Sequence, residues 1–151
     1  MNRDRYLVKS AGDNIEGTRE GVAKFLQLLG QHREGVIVVP HMNQVKDTLL
    51  AHVLNAVSPA LADTLFRKRE HVFSDGSRIQ VCSQQTLKNF RRSPLYLVLW
   101  GSHYAIDDVE ALDRWGAVVF VSWQSIDYQA WLQNHDNVSV IYDDGKPDTH
   151  I

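Results

Sequence analysis

The chain has 151 residues, 44% of them hydrophobic and 23% charged, which suits one full core and leaves little for a second. Sixteen basic residues against eighteen acidic ones give a net charge of -2, so no overall field draws the protein to nucleic acid or to an anionic membrane; such binding needs a local cluster. The longest strongly apolar run, Leu95 to Trp100, is far short of the roughly 20 residues that span a bilayer, the polar start lacks the apolar middle of a secretory signal, and the lone Cys82 cannot form an intramolecular disulfide, so the cytoplasm is the expected compartment.

Short β-rich runs alternate with helical patterns along the chain. The first strand is expected at Arg5 to Val8, followed by a glycine-bearing loop, Ser10 to Thr18. Val22, Phe25, Leu26 and Leu29 then recur at i, i+3, i+4 and i+7, which predicts a helix that Gly30 ends. After a second strand at Val36 to Val39, Asn43 is placed to cap a helix whose Val45, Leu49, Val53 and Val57 face inward, with His52 at the edge of that apolar face. Pro59 stops this helix or begins a further turn through Leu61 and Leu65.

Asp75-Gly76 favours the positive-φ hairpin turn and would bring His71 to Phe73 antiparallel to the third strand, Arg78 to Cys82. Strands four to six are expected at Leu95 to Trp100, Ala117 to Val121 and Val138 to Tyr142. Helices marked by Ile106, Val109 and Leu112 and by Ile126, Ala130 and Trp131 separate them. Trp115 and Trp131 are expected to pack within helices, whereas Trp123 follows a strand end and suits a pocket or partner surface.

The alternation predicts a single α/β domain over residues 1–143 with a loosely ordered tail at 144–151. Its fold is expected to be a Rossmann-like three-layer α/β/α sandwich, with a mainly parallel sheet of about six strands and one antiparallel edge hairpin.

In open α/β sheets ligands bind beyond the carboxyl ends of the strands, so the residues just after each strand are the ones to inspect. Gly12, Gly17 and Thr18 in the first loop, with Asn43 after the second strand, are candidates to hold a phosphate or other ligand. The glycines keep the spacing of the phosphate-loop motif G-x-x-x-x-G-K-[ST], but the lysine between Gly17 and Thr18 is missing, and Asp13 and Glu16 would repel a polyphosphate. His41, Ser102 and His103 are the candidate catalytic residues, all at strand ends; Ser102 also reads as a helix cap, with His103 in the first turn. His103 and Asp107 lie four residues apart, yet the scattered histidines form no metal-binding motif, and neither a metal ion nor a cofactor is expected.

From Arg5 to Val121 the chain resembles the nucleotide-binding core of helicases and packaging ATPases. "VIVVPHMNQVKDTL" looks like the strand and helix after the phosphate loop, and "FSDGSRIQVCSQQTL" is similar to the hairpin and next strand. "LYLVLWGSH" stands where a strand ends in a metal-binding Asp-Glu pair, and "VVFVSWQS" puts Ser122 at a sensing serine. Trp100 and Gly101 occupy the acidic positions, so the resemblance implies a degenerate phosphate-loop core without ATPase chemistry.

Two basic clusters, Arg67, Lys68, Arg69 and Lys88, Arg91, Arg92, flank the expected hairpin, and Phe90 is available to stack a base. The function expected first is a binding or accessory domain whose target, a partner protein or nucleic acid, meets these residues. The alternative is an enzyme or small-molecule-binding domain using the strand-end loops, and a third possibility is an oligomer interface made by exposed aromatics.

Overall fold

The computed structural model describes residues 3–12, 14–41 and 49–145. Strands β1 (Asp4–Lys9), β2 (Glu34–Val39), β3 (Glu70–Val72), β4 (Arg78–Ser83), β5 (Leu95–Gly101), β6 (Ala117–Ser122) and β7 (Val138–Asp143) form one sheet in the order β3-β4-β2-β5-β6-β1-β7. Every neighbouring pair is parallel except β3–β4. This is the Rossmann-like α/β fold expected, with β3 as a seventh, short edge strand. Asp75 fixes the hairpin by accepting hydrogen bonds from the Ser77 backbone N–H (2.9 Å) and hydroxyl (2.6 Å), while Gly76 takes a φ of +90°.

Period-two alternation sorts the strand side chains into two cores. Val8, Ile37, Ile79, Leu97 and Val119 face α1 (Ile15–His32), α2 (Leu49–Val57) and α3 (Pro59–Lys68). Leu7, Val38, Tyr96, Val118 and Phe120 face α4 (His103–Glu110), α5 (Ile126–Asn134) and a 3₁₀ turn at Leu87–Phe90. Asn14 caps α1 by accepting from the Gly17 N–H, and Ser58 caps α3, with Pro59 at the first helical turn. At Gly21 the helix lies so close to the sheet that an added Cβ would stand 2.4 Å from Val121 Cγ2.

Several expectations change. Val57 is 52% exposed and His52 is also exposed, because α2 turns Leu50, Val53 and Leu54 inward instead. Trp115 is fully buried but sits in the connection before β6, where the Val109 carbonyl accepts its indole N–H at 2.7 Å. In α5 the inward face is Asp127, Tyr128 and Trp131; Ile126 and Ala130 are exposed. Leu112 lies beyond the end of α4, and Phe73 falls outside β3. Asn43 and Val45 lie outside the described residues, as do residues 146–151 of the tail. No helix among the described residues is long and apolar enough to cross a membrane.

A charged brace ties the second layer to the sheet. Arg5 on β1 meets Glu110 on α4 in a two-pronged contact, Nε to Oε2 at 2.6 Å and the second amino group to Oε1 at 2.8 Å. Trp131 Nε1 donates to Glu110 Oε2 at 2.7 Å, so one carboxylate joins β1, α4 and α5.

Candidate functional site

Helix α1 leaves β1 on one face of the sheet and α5 leaves β6 on the other, so the adjacent ends of β1 and β6 make a switch point of the type where α/β proteins bind ligands. At that crevice two serines bridge the strand ends. The Ser10 hydroxyl donates to the Ser122 carbonyl at 3.1 Å, and Ser122 Oγ accepts from Ser10 N at 3.2 Å; both side chains are buried. Between β2 and β5, a second switch point, the void bounded by Pro40, Gln84, Leu99 and Ala105 does not admit a water molecule.

Four N–H groups of the glycine loop donate within the protein. Ala11 N–H donates to Asp144 Oδ2 at 2.9 Å, Gly12 N–H to the Trp123 carbonyl at 2.8 Å, and Gly17 N–H to Asn14 Oδ1 at 2.9 Å. Thr18 N–H reaches the Asn14 carbonyl at 3.0 Å. Asp144 comes from beyond β7, and its own N–H donates to the Lys9 carbonyl, so a protein carboxylate stands on the loop. Gly12 has a φ of +62°, the left-handed turn that glycine tolerates.

Thr18 is fully buried, and its hydroxyl oxygen accepts from Trp100 Nε1 at 3.2 Å. Trp100, the residue before the last of β5, has a φ of +52°, at a shift in the pairing with β6. This left-handed residue puts a large ring, itself buried, over the start of α1.

The three catalytic candidates lie at the ends of β2 and β5. His41 is exposed at the end of β2. Ser102 is the residue before α4 and His103 its first residue, as the cap reading has it, although the Ser102 side chain makes no capping bond. The His103 ring lies against Tyr104 with 3.9 Å between ring centres, and among the described residues no hydrogen bond joins Ser102 to His103. Asp127, which sequence reasoning missed, is buried at the start of α5; burial pushes its carboxyl above the usual range, opposed by hydrogen bonds from the Gln124 and Trp123 backbone. Its position one residue into a helix is ordinary for a capping carboxylate, so only the fold reveals its burial. No three metal-ligating side chains among the described residues converge on a common point.

The two basic clusters lie on opposite sides of the sheet. Arg67 and Lys68 occupy the last turn of α3 and Arg69 its left-handed cap, on the α1–α3 side, with Arg67 held by Asp63 at 2.7 Å. Lys88, Arg91 and Arg92 belong to the 3₁₀ turn and its continuation, on the other side. There they line a cleft of about 420 Å³ with Arg78, Gln80 and Phe90, at the amino ends of β2 and β4, remote from the strand-end loops.

Among solved structures, the ATPase domain of the large terminase of Thermus phage P74-26 is similar to this chain, with 15% identity and a TM-score of 0.47 over 94% of this chain and 75% of that one. A point mutant of the same domain gives 14% identity and 0.46 over 93% and 75%. No protein-family model matches the chain, and no curated protein matches it.

Proposed function

We propose that this chain is a binding or accessory domain on a degenerate nucleotide-binding core, one that does not hydrolyse ATP and that engages a partner protein or nucleic acid. The observation that carries the reading is the Trp100 indole on the Thr18 hydroxyl. In a working phosphate loop that hydroxyl ligates Mg²⁺, a lysine beside it reaches the β- and γ-phosphates, and an acidic residue completes the metal site. Here the lysine is absent, the acidic position is an indole, and the indole N–H already uses the threonine oxygen.

Asp144 adds to this. A carboxylate bound to the Ala11 N–H occupies a group that a phosphate oxygen would need, and its charge opposes that of a triphosphate. A second reading, a small-molecule site at the same end of the sheet, is favoured by one observation, a carboxyl group buried at the start of α5, that of Asp127, which accepts the Gln124 N–H at 3.1 Å.

Both readings are tested with purified protein, ATP and Mg²⁺. Phosphate release at the level of the buffer blank, with no thermal shift by ATP, is expected; turnover that Thr18→Ala abolishes would overturn the proposal. For the second reading a ligand at about 100 times its Kd adds about 2.7 kcal/mol, so a panel of nucleotides and sugar phosphates that leaves Tm unmoved removes it.

A further inference from the structure

We infer that the cleft at the amino ends of β2 and β4 binds a single nucleic-acid strand, its phosphates on Lys88, Arg91 and Arg92 and one unstacked base inside. The inference rests on the binding-domain reading above and names its partner.

Charge comes first. Lys88, Arg91 and Arg92 sit at i, i+3 and i+4 along the 3₁₀ turn and its continuation, all exposed, and none forms an ion pair with a described residue. Arg78 is already committed, to Glu34 at 3.0 Å and Glu70 at 3.5 Å, so the single carboxylate of the lining is neutralised from within. A protein of net charge -2 therefore presents a local cluster of unpaired cations, the arrangement that holds a phosphate backbone.

Shape and polar groups then separate a strand from other polyanions. A cleft of about 420 Å³ falls in the size range that encloses a small organic group, and a base splayed from a single strand enters it where one stacked and paired in a duplex does not. Gln80 and Asn89 line it, and neither side-chain amide hydrogen-bonds to a described residue, so donors and acceptors suited to a base edge stand unused. The Phe90 ring packs on the second core and contributes an aromatic wall. An acidic peptide would meet the cations and leave the depth and the amides empty.

The test is fluorescence anisotropy of the full chain with labelled oligo-dT of about 12 nucleotides, a length within the usual footprint of single-strand binders. Three phosphate contacts at about 0.7 counterions each predict an affinity that falls roughly twenty-fold between about 50 and about 200 mM salt. Charge reversal at Lys88→Glu, Arg91→Glu and Arg92→Glu together should weaken binding more than tenfold with the circular dichroism spectrum unchanged, since all three side chains are exposed. Arg67→Glu, on the opposite side, should change nothing. No association at low salt, an unaffected triple variant, a duplex or oligo-glutamate bound as tightly as the strand, or displacement by dTMP at equal nucleotide concentration would each overturn the inference. Loss of strand binding leaves the ATP-inert reading standing, while ATP turnover sinks that reading whatever the strand does.

Discussion

Replacing Glu110 by alanine should be among the more damaging single changes in this protein. The carboxylate takes both prongs of Arg5 at 2.6 and 2.8 Å and the Trp131 indole N–H at 2.7 Å, with the Arg5 and Glu110 side chains only 11% and 15% exposed. Removing one partner of a buried ion pair costs about 3–5 kcal/mol, and an orphaned buried donor about 1–3 more. Against that, Arg5 keeps Asn137 Oδ1 at 2.8 Å and lies over the Trp115 ring, and some water reaches the gap. The expected net loss is about 3 kcal/mol, a large share of the roughly 5–15 that hold a domain together. For a chain of this size it corresponds to a fall in Tm of roughly 6–12 °C.

Urea titrations followed by tryptophan fluorescence measure it directly, with Glu110→Gln, which keeps an acceptor and loses the charge, expected to lose about half as much. A loss below about 1 kcal/mol for the alanine variant would refute the reasoning, because the pair would then be behaving as a solvated surface contact. The pH dependence adds a check on sign. Burial alone would raise the Glu110 carboxyl, but hydrogen bonds from Arg5 and Trp131 and the charges of Arg5 and His135 outweigh it and hold the group below its ordinary value of 4.5. A carboxyl depressed on folding stabilises above its unfolded pKa, and that contribution disappears as pH falls through the folded one. The advantage of the native protein over Glu110→Gln should therefore be full at neutral pH and shrink below 4.5.

Two further outcomes are expected. Gly21→Ala puts a methyl 2.4 Å from Val121 Cγ2, and overpacking of about 1–3 kcal/mol should exceed the helix-propensity gain of up to about 1; the urea midpoint falls, and falls less when Val121→Ala is already present. Cys82 is buried near the carboxyl end of β4, and burial pushes its thiol up to about 12, so a thiol reagent at mildly alkaline pH should modify it only once denaturant is added.

Local patterns carried the architecture. Continuous apolar runs marked β2, β5 and β6 because strands covered on both faces need no polar alternation, and the four-residue stripe through Val22 to Leu29 marked α1. Asp75-Gly76 located the hairpin through turn chemistry alone. What escaped depends on contacts between distant parts of the chain. The Trp100–Thr18 bond spans 82 residues and the Ala11–Asp144 bond 133, and no periodicity encodes either. Trp115 reads as a helical residue because bulky residues usually pack from regular elements, yet its indole reaches the Val109 carbonyl from a connecting segment. The basic clusters are near in sequence to one hairpin, but the sheet between them sends one to each side.

The position of β1 sets the schedule on which this domain comes together. Its two neighbours are β6 and β7, and the Ser10–Ser122 contact at its end joins residues 112 apart. During synthesis at about 5–20 residues per second, roughly 6–20 s pass before β1 meets its first neighbour, and until then its edges have no partner. Pairings this distant in the chain slow the search for the native sheet, so α1–α3 with β2 and β4 should gather first and the first-made strand should enter late, as a wedge completing the sheet.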